Sequence, residues 1–234
     1  MQVDCSIDST KEKKGNTMIN QDTKILSAIE IARMTYPRVS EIIGKQTERE
    51  MKAIPIETLK NAAERGTEIH SYCSSYLKGL WIPEIDREYL PYFTAFTEWA
   101  DQNVEKTFYQ NIRLYDDEKR FTGEFDCIAM LKDSKKTVLI DIKTSANSSK
   151  SWPVQLAAYK HLCMINGYEV DRVINIHLKK TKAATYNEEN QMVSPAKVKT
   201  LEIHYEDLTK FWSIFSSSLD CFYYFDKKES DHVL

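Results

Sequence analysis

The 234-residue chain lacks any apolar run that approaches the roughly 20 consecutive residues required to cross a membrane as a helix. Its first residues, 1–23, are polar and lack the apolar segment of a secretory signal. Both absences argue against a membrane partner. The polar composition of residues 1–23 predicts an N-terminal tail, and the length of the chain predicts one domain over 24–234.

Cysteine spacings typical of disulfide-rich domains or of metal and redox sites are also absent. The chain has five cysteines, an odd number, and no two of them are spaced as Cys-x-x-Cys. This usage argues against a disulfide framework and predicts a reducing compartment.

The chain has no excess of positive charge, since its formal net charge is −3. A nucleic acid would therefore have to be bound by local basic patches. Candidate cations are Lys143, Lys150, Lys160 and the run Lys179-Lys180-Thr181-Lys182. The alternative interpretation of that run is a solvated strand end.

Composition and periodicity predict an α/β protein. Hydrophobic residues make up 42% of the chain and charged residues 29%, as in globular domains. Helices are predicted over 24–34, 40–44, 56–79, 87–103, 151–166 and 206–226, strands over 104–115, 121–131, 136–143, 171–179 and 198–204, and a loop over 181–195. This order predicts an α/β (α+β) fold in which helices flank a mixed sheet.

Two adjacent apolar runs, FTGEFDCIAML and KTVLIDIKTS, contain the polar residues of greatest interest. The break KDSKK between them predicts a hairpin, and a turn at Asp133-Ser134 places Asp126 opposite Asp141. Directly opposed residues point to the same face of a sheet, so both carboxylates and Lys143 should converge. Glu124 shares this face by the strand period of two.

Opposed carboxylates destabilise a hairpin unless a positive charge compensates them. A divalent cation can do so, because Mg²⁺ is bound by one or two carboxylates together with waters and substrate phosphates. The alternative is a structural ion pair with Lys143. Glu124 is assigned either as an accessory metal ligand or as a partner of Lys143.

This constellation resembles the PD-(D/E)XK nuclease superfamily, with Asp126 as the first aspartate and Asp141-Ile142-Lys143 as the (D/E)XK triplet. Three further segments are similar to motifs of the RecB-type branch and occur in the same order: Gly66-Thr67-Glu68-Ile69-His70, Gly123-Glu124-Phe125-Asp126 and Gln155-Leu156-Ala157-Ala158-Tyr159. The resemblance covers about residues 37–228. It is greatest to mitochondrial genome maintenance exonucleases and their phage and bacterial relatives.

The resemblance implies a restriction-endonuclease-like core and Mg²⁺ or Mn²⁺ as cofactor, the latter because a histidine ligand also favours Mn²⁺. Implied catalytic residues are Asp126, Asp141, Lys143, Gln155 and Tyr159, and implied metal ligands are His70, Asp126, Asp141 and the carbonyl of Ile142. Implied contacts to nucleic acid are Thr144, Ser145, Lys150 and Tyr159, the last by stacking on a base.

Two positions differ from relatives of that branch. Ser74 stands where many of them carry a glutamate, so a helper carboxylate is missing. Only Cys221 lies near the C-terminus, so no iron–sulfur cluster is expected.

The resemblance predicts an exonuclease that shortens single-stranded DNA ends or flaps in repair, recombination or replication. A structure-selective endonuclease and a catalytically silent nucleic-acid-binding subunit are the alternatives. The expected location is the cytoplasm of a bacterial or phage-infected cell, or the mitochondrial matrix if the source is eukaryotic.

Overall fold

The computed structural model describes residues 27–225, apart from the side chains of 49–51. The predicted tail over 1–23 and the first residues of the predicted helix over 24–34 lie outside the described residues. The helices are α1 (Ala28–Arg33), α2 (Val39–Met51), α3 (Ile56–Leu77), α4 (Leu90–Asn103), α5 (Ser151–Ile165) and α6 (Thr209–Phe225). The strands are β1 (Val104–Asp116), β2 (Phe121–Leu131), β3 (Thr137–Lys143), β4 (Arg172–Lys182), β5 (Thr185–Tyr186), β6 (Met192–Ser194) and β7 (Lys197–Tyr205).

Five strands form one sheet in the order β1-β2-β3-β4-β7, and β5 pairs with β6 separately. The pairs β1–β2, β2–β3 and β4–β7 are antiparallel, whereas β3 and β4 are parallel. Helix α5 connects the parallel pair, as a crossover between parallel strands requires. The predicted α/β class, with a mixed sheet flanked by helices, is confirmed.

The sheet separates two hydrophobic cores. Leu139 lies on the side of α2, α5 and α6, where it packs in one cluster with Leu156 and Phe215. Its neighbour Ile140 lies on the side of α3 and α4, in a cluster with Phe96. This alternation follows the strand period of two and buries β3 on both faces. Within the described residues, no helix is both long and apolar enough to span a bilayer.

The predicted hairpin register is confirmed. Met130 pairs with Thr137 and Cys127 with Ile140, so the next positions along the two strands are Asp126 and Asp141. The connection is longer than the predicted two-residue turn, because Leu131 and Lys136 are the last hydrogen-bonded residues. The extra residues are symmetric about the turn and leave the register unchanged.

Helix α2 differs from its prediction. It begins after Arg38 rather than Ser40 and continues through Gly44. Ile42 and Ile43 anchor this helix in the core, and a glycine inside a helix costs only about 1 kcal/mol. Tertiary packing therefore overrides the local stop signal at Gly44.

The segment predicted as a loop over 181–195 contains the short pair β5–β6, and β4 extends to Lys182 rather than residue 179. Strand β3 ends at Lys143, which pairs with His177. The pair β4–β7 therefore continues as a two-stranded ribbon beyond the end of β3.

Candidate active site

The two aspartates lie where β2 and β3 separate, one position beyond the pair Cys127–Ile140. The Oδ2 atom of Asp126 accepts a hydrogen bond of 2.6 Å from the backbone N–H of Ile142. The carboxylate thus satisfies a backbone donor that the separated strands no longer pair. Asp141 is buried, with 5% of its side chain exposed, whereas the Asp126 side chain is 19% exposed.

Asp141 is held by two donors that share one of its oxygens. The Lys143 Nζ atom lies 2.8 Å from Oδ2, and the Asn175 side-chain amide donates to the same atom at 2.6 Å. The Tyr205 hydroxyl donates to Asn175 Oδ1 at 3.0 Å and orients the amide. The sequence interpretation missed Asn175, although this polar residue interrupts the apolar run VINIHL of β4.

Lys143 is oriented by helix α5. Its Nζ atom donates to Gln155 Oε1 at 2.5 Å, and the Gln155 amide donates to the Tyr159 hydroxyl at 2.9 Å. Residues four apart share a helix face, so one turn of α5 supplies both contacts. The structure therefore brings these three predicted residues together.

The ring of Tyr159 is largely buried. The residue is 7% exposed and packs in the core beside Leu162. Burial raises the pKa of its phenol far above the usual range. The Tyr159 hydroxyl accepts the hydrogen bond of the Gln155 amide, and the stacking of the ring on a base stays a prediction.

His70 reaches the site from α3. Its Nδ1 atom lies 2.9 Å from Asp126 Oδ1, which places the imidazole in the predicted neighbourhood. Gly66 lies one turn earlier on α3, and a Cβ added there would lie 3.7 Å from Thr144 Oγ1, an ordinary contact distance.

The two carboxyl groups are electrostatically unequal. Burial alone would raise the pKa of Asp126, but the charge and hydrogen bond of His70, with the Ile142 N–H, outweigh it and hold the pKa below its usual value. Burial and the nearby charge of Asp126 raise the pKa of Asp141 despite the attraction of Lys143. Asp126 in turn raises the pKa of His70 against the effect of burial. Asp126 is thus the more strongly acidic of the pair.

Glu124 does not pair with Lys143. Its carboxylate accepts hydrogen bonds from Arg113, at 2.8 Å from Nη2 and 3.2 Å from Nε, across the β1–β2 pair. Lys143 instead pairs with Asp141, so the predicted ion pair between Glu124 and Lys143 is wrong. The accessory metal role stays a prediction.

An open groove of about 1140 Å³ leads to Asp126. Ser74, in the place of the expected glutamate, hydrogen-bonds Asn111 and donates to Gln110 Oε1 at 3.4 Å. No carboxylate replaces it at that position. Residues lining the groove include Arg38, Ser40, His70, Ser74, Lys78, Asn111, Glu124 and Asp126.

The remaining predicted contacts lie around the end of β3. Ile142 and Thr144 are buried, and the contact of the Thr144 hydroxyl with a phosphate stays a prediction. The Ser145 hydroxyl donates to the carbonyl of Asn147 at 2.9 Å and lies in an exposed loop. Lys150 is exposed and precedes the first residue of α5.

The donor set fits a hard divalent cation. Asp126 and Asp141 supply the one or two carboxylates that Mg²⁺ needs, and waters and substrate oxygens complete such sites. Among residues 27–225 no group of three or more His, Cys, Asp or Glu side chains is arranged to hold a metal ion. The Lys143 ammonium group lies beside Asp141, and the His70 imidazole hydrogen-bonds with Asp126.

The position of Tyr159 depends on Gly123. A Cβ at Gly123 would lie 2.8 Å from both Leu162 Cδ1 and Tyr159 Cε1. We expect Gly123→Ala to lower the free energy of unfolding by about 1–3 kcal/mol, as overpacking does, and to reduce turnover through displacement of Gln155. Urea denaturation and a cleavage assay measure the two effects.

Gly44→Ala is the matched control, since nothing lies within 4 Å of a Cβ there. Gly44 is exposed inside α2, so this variant should be more stable by up to about 1 kcal/mol. Equal stability changes in the two variants would contradict the packing argument.

The chain is similar to several solved structures, but neither a protein-family model nor a curated protein gives a significant match. One similar solved structure is a candidate exonuclease from Eubacterium rectale, with a TM-score of 0.47 and 12% identity, covering 84% of this chain and 85% of that chain. Another is a phage-related exonuclease from Haemophilus somnus 129PT, with a TM-score of 0.30 and 14% identity, covering 67% of this chain and 79% of that chain. Both similarities are low, and the evidence for the fold and the candidate site lies in the sheet and side chains of this chain.

Proposed function

We propose that this protein is a divalent-metal-dependent nuclease with a restriction-endonuclease-like core, similar to the PD-(D/E)XK superfamily. The observation that carries the proposal is the convergence of Asp126, Asp141 and Lys143 where β2 and β3 separate. Lys143 lies within 2.8 Å of Asp141, and the N–H of Ile142 binds Asp126. Buried carboxylates of this kind are costly to a fold, which argues for a chemical role.

Each residue has a role in the proposed reaction. Asp126 and Asp141, with the Ile142 carbonyl and His70, would hold Mg²⁺ or Mn²⁺, which polarises a phosphodiester and activates water when bound. The ammonium group of Lys143 stabilises the negative charge that develops on the phosphoryl oxygens. Gln155 orients this ammonium group, and Tyr159 orients Gln155.

The proposed substrate is single-stranded DNA with a free end. The groove that reaches Asp126 carries both charge signs, with Lys78 and Arg38 beside Glu124, and the chain has a net charge of −3. A protein without a broad basic face is poorly suited to non-specific binding of long duplex. A flexible strand requires only a narrow local groove.

Labelled linear and circular single strands of one sequence test this proposal. With Mg²⁺ or Mn²⁺ we expect the linear strand to be shortened from an end and the circle to survive, because an end must enter the site. Excess chelator should stop the reaction. Linearisation of the circle would support the structure-selective endonuclease instead, and binding without cleavage in either metal would support the silent subunit.

A further inference from the structure

The β4–β7 ribbon extends past the candidate active site. Lys143, the last residue of β3, pairs with His177, and β4 continues five residues further to Lys182. At about 3.3 Å per residue this extension is about 17 Å long. It starts at the end of the sheet where Lys143 lies.

This ribbon carries a concentration of lysines. Lys179 lies directly opposite Lys199, and Lys182 lies opposite Lys197. Like charges in such positions destabilise a strand pair, so folding alone gives no reason for the arrangement. The ribbon carries five lysines. Lys179 is partly exposed, and the other four are exposed: Lys180, Lys182, Lys197 and Lys199.

Nearby carboxylates do not neutralise these charges. Across residues 27–225, none of the five lysines has a carboxylate within ion-pair distance. Glu88 lines a small pocket beside Lys180, but Arg87 lines the same pocket and offsets its charge. The ribbon therefore keeps a local positive potential on a chain whose net charge is −3.

Two of the lysines lie on the catalytic face of the sheet. Residues two apart on a strand share a face, so Lys179 lies on the same face of the sheet as Asn175 and His177. The Asn175 amide binds Asp141 at 2.6 Å, which identifies this face as the one that carries the site. Lys199, directly opposite Lys179, belongs to the same face.

We infer that the Lys179–Lys199 face binds the phosphate backbone of the nucleic acid strand beside the bond to be cleaved. The inference rests on the proposed nuclease function. The carboxylates of the site repel a polyanion, and the paired lysines on the same face offset that repulsion. An acidic polypeptide would also suit the charge, but the continuity with Asp141 and Lys143 favours the strand.

The test compares Lys179→Gln/Lys199→Gln with wild type. Anisotropy of a labelled single strand, longer than the roughly 4–16 nucleotides of common binding sites, is measured in chelator to prevent cleavage. Over about 0.05–0.3 M NaCl, the slope of log affinity against log salt should decrease by about 1.4, or 0.7 per lost lysine contact. If wild type and variant bind with equal affinity at 1 M NaCl, this difference in slope makes the variant bind about 25-fold more weakly at 0.1 M NaCl.

Lys136→Gln/Lys210→Gln is the matched control. Lys136 adjoins the β2–β3 turn and Lys210 follows the end of β7, both at the opposite end of the sheet. This variant has the same net charge as the ribbon variant, so its salt slope should equal that of wild type if position matters. An equal decrease in both variants would overturn the inference, since only net charge would then be at work.

Lys179→Glu separates binding from folding. It places a carboxylate opposite Lys199, so the melting temperature should stay level or rise while DNA affinity falls. Loss of both together would indicate a structural role and overturn the inference.

The two proposals fail differently. An unchanged salt slope in Lys179→Gln/Lys199→Gln, or no DNA binding by wild type at low salt, overturns the ribbon site. Either result would favour an acidic polypeptide as the ligand of these lysines. A wild type that binds through the ribbon but never cleaves contradicts only the proposed catalysis.

Discussion

Asp141→Asn is expected to lower the rate of phosphodiester cleavage by at least about three orders of magnitude, or about 4 kcal/mol in the barrier. The substitution removes the negative charge on which a divalent cation in this site would depend. It also removes the partner that lies 2.8 Å from the Lys143 ammonium. Single-turnover cleavage of a labelled strand with Mg²⁺ measures the effect.

Thermal stability of Asp141→Asn should stay near that of wild type or rise. Burial and the charge of Asp126 already raise the pKa of Asp141, so a neutral side chain relieves an unfavourable ionisation. The amide oxygen can still accept from Asn175. Retained stability would show that a lost activity reflects chemistry rather than unfolding.

Asp116→Asn supplies a matched control. Asp116 is as buried as Asp141, at 4% exposure, and its carboxylate pairs with His161 at 2.8 Å, but it lies outside the site. This variant should lose stability and keep most of its cleavage rate. Undiminished cleavage by Asp141→Asn, or full activity of wild type in excess chelator, would contradict the proposed metal chemistry.

Lys143→Ala is expected to reduce turnover by about two orders of magnitude or more, or about 3 kcal/mol, as removal of a pre-positioned electrostatic donor does. Substrate affinity should change much less. The reason is geometric: Gln155 and Asp141 hold the ammonium group, at 2.5 Å and 2.8 Å, before any substrate binds. Values of kcat and Kd, measured separately on a linear single strand, distinguish the two effects.

Lys135→Ala controls for the loss of one positive charge. Lys135 pairs with Glu105 at the β2–β3 turn, at the end of the sheet opposite Lys143. It should leave both constants unchanged. A Lys143→Ala variant that binds weakly but turns over normally at saturation would show that the lysine only anchors a phosphate.

Local sequence patterns were sufficient for most of the elements, apart from the bounds of α2 and the pair β5–β6, and for the first pair of the site. The apolar runs define β2 and β3, and hairpin pairing is symmetric about its turn, so the juxtaposition of Asp126 and Asp141 survives an error in turn length. The helical period places Gln155 and Tyr159 on one face of α5. These features depend on neighbours in the chain, which is why periodicity reveals them.

Tertiary structure alone decided the contacts between elements distant in the chain. Asn175 reaches Asp141 because β4 lies beside β3 in the sheet, and no local pattern specifies that neighbour. Tyr159 is buried because Gly123, on β2, leaves room for its ring. Glu124 binds Arg113 because β1, not β3, lies opposite it.

The same division explains the ribbon. The run Lys179-Lys180-Thr181-Lys182 was visible as a basic segment, but its alternative interpretation as a solvated strand end stayed open. Only the β4–β7 register places Lys199 opposite Lys179 and both on the face of Asp141. Charge along a chain is a property of sequence, whereas the potential that a substrate meets depends on which strands the fold brings together.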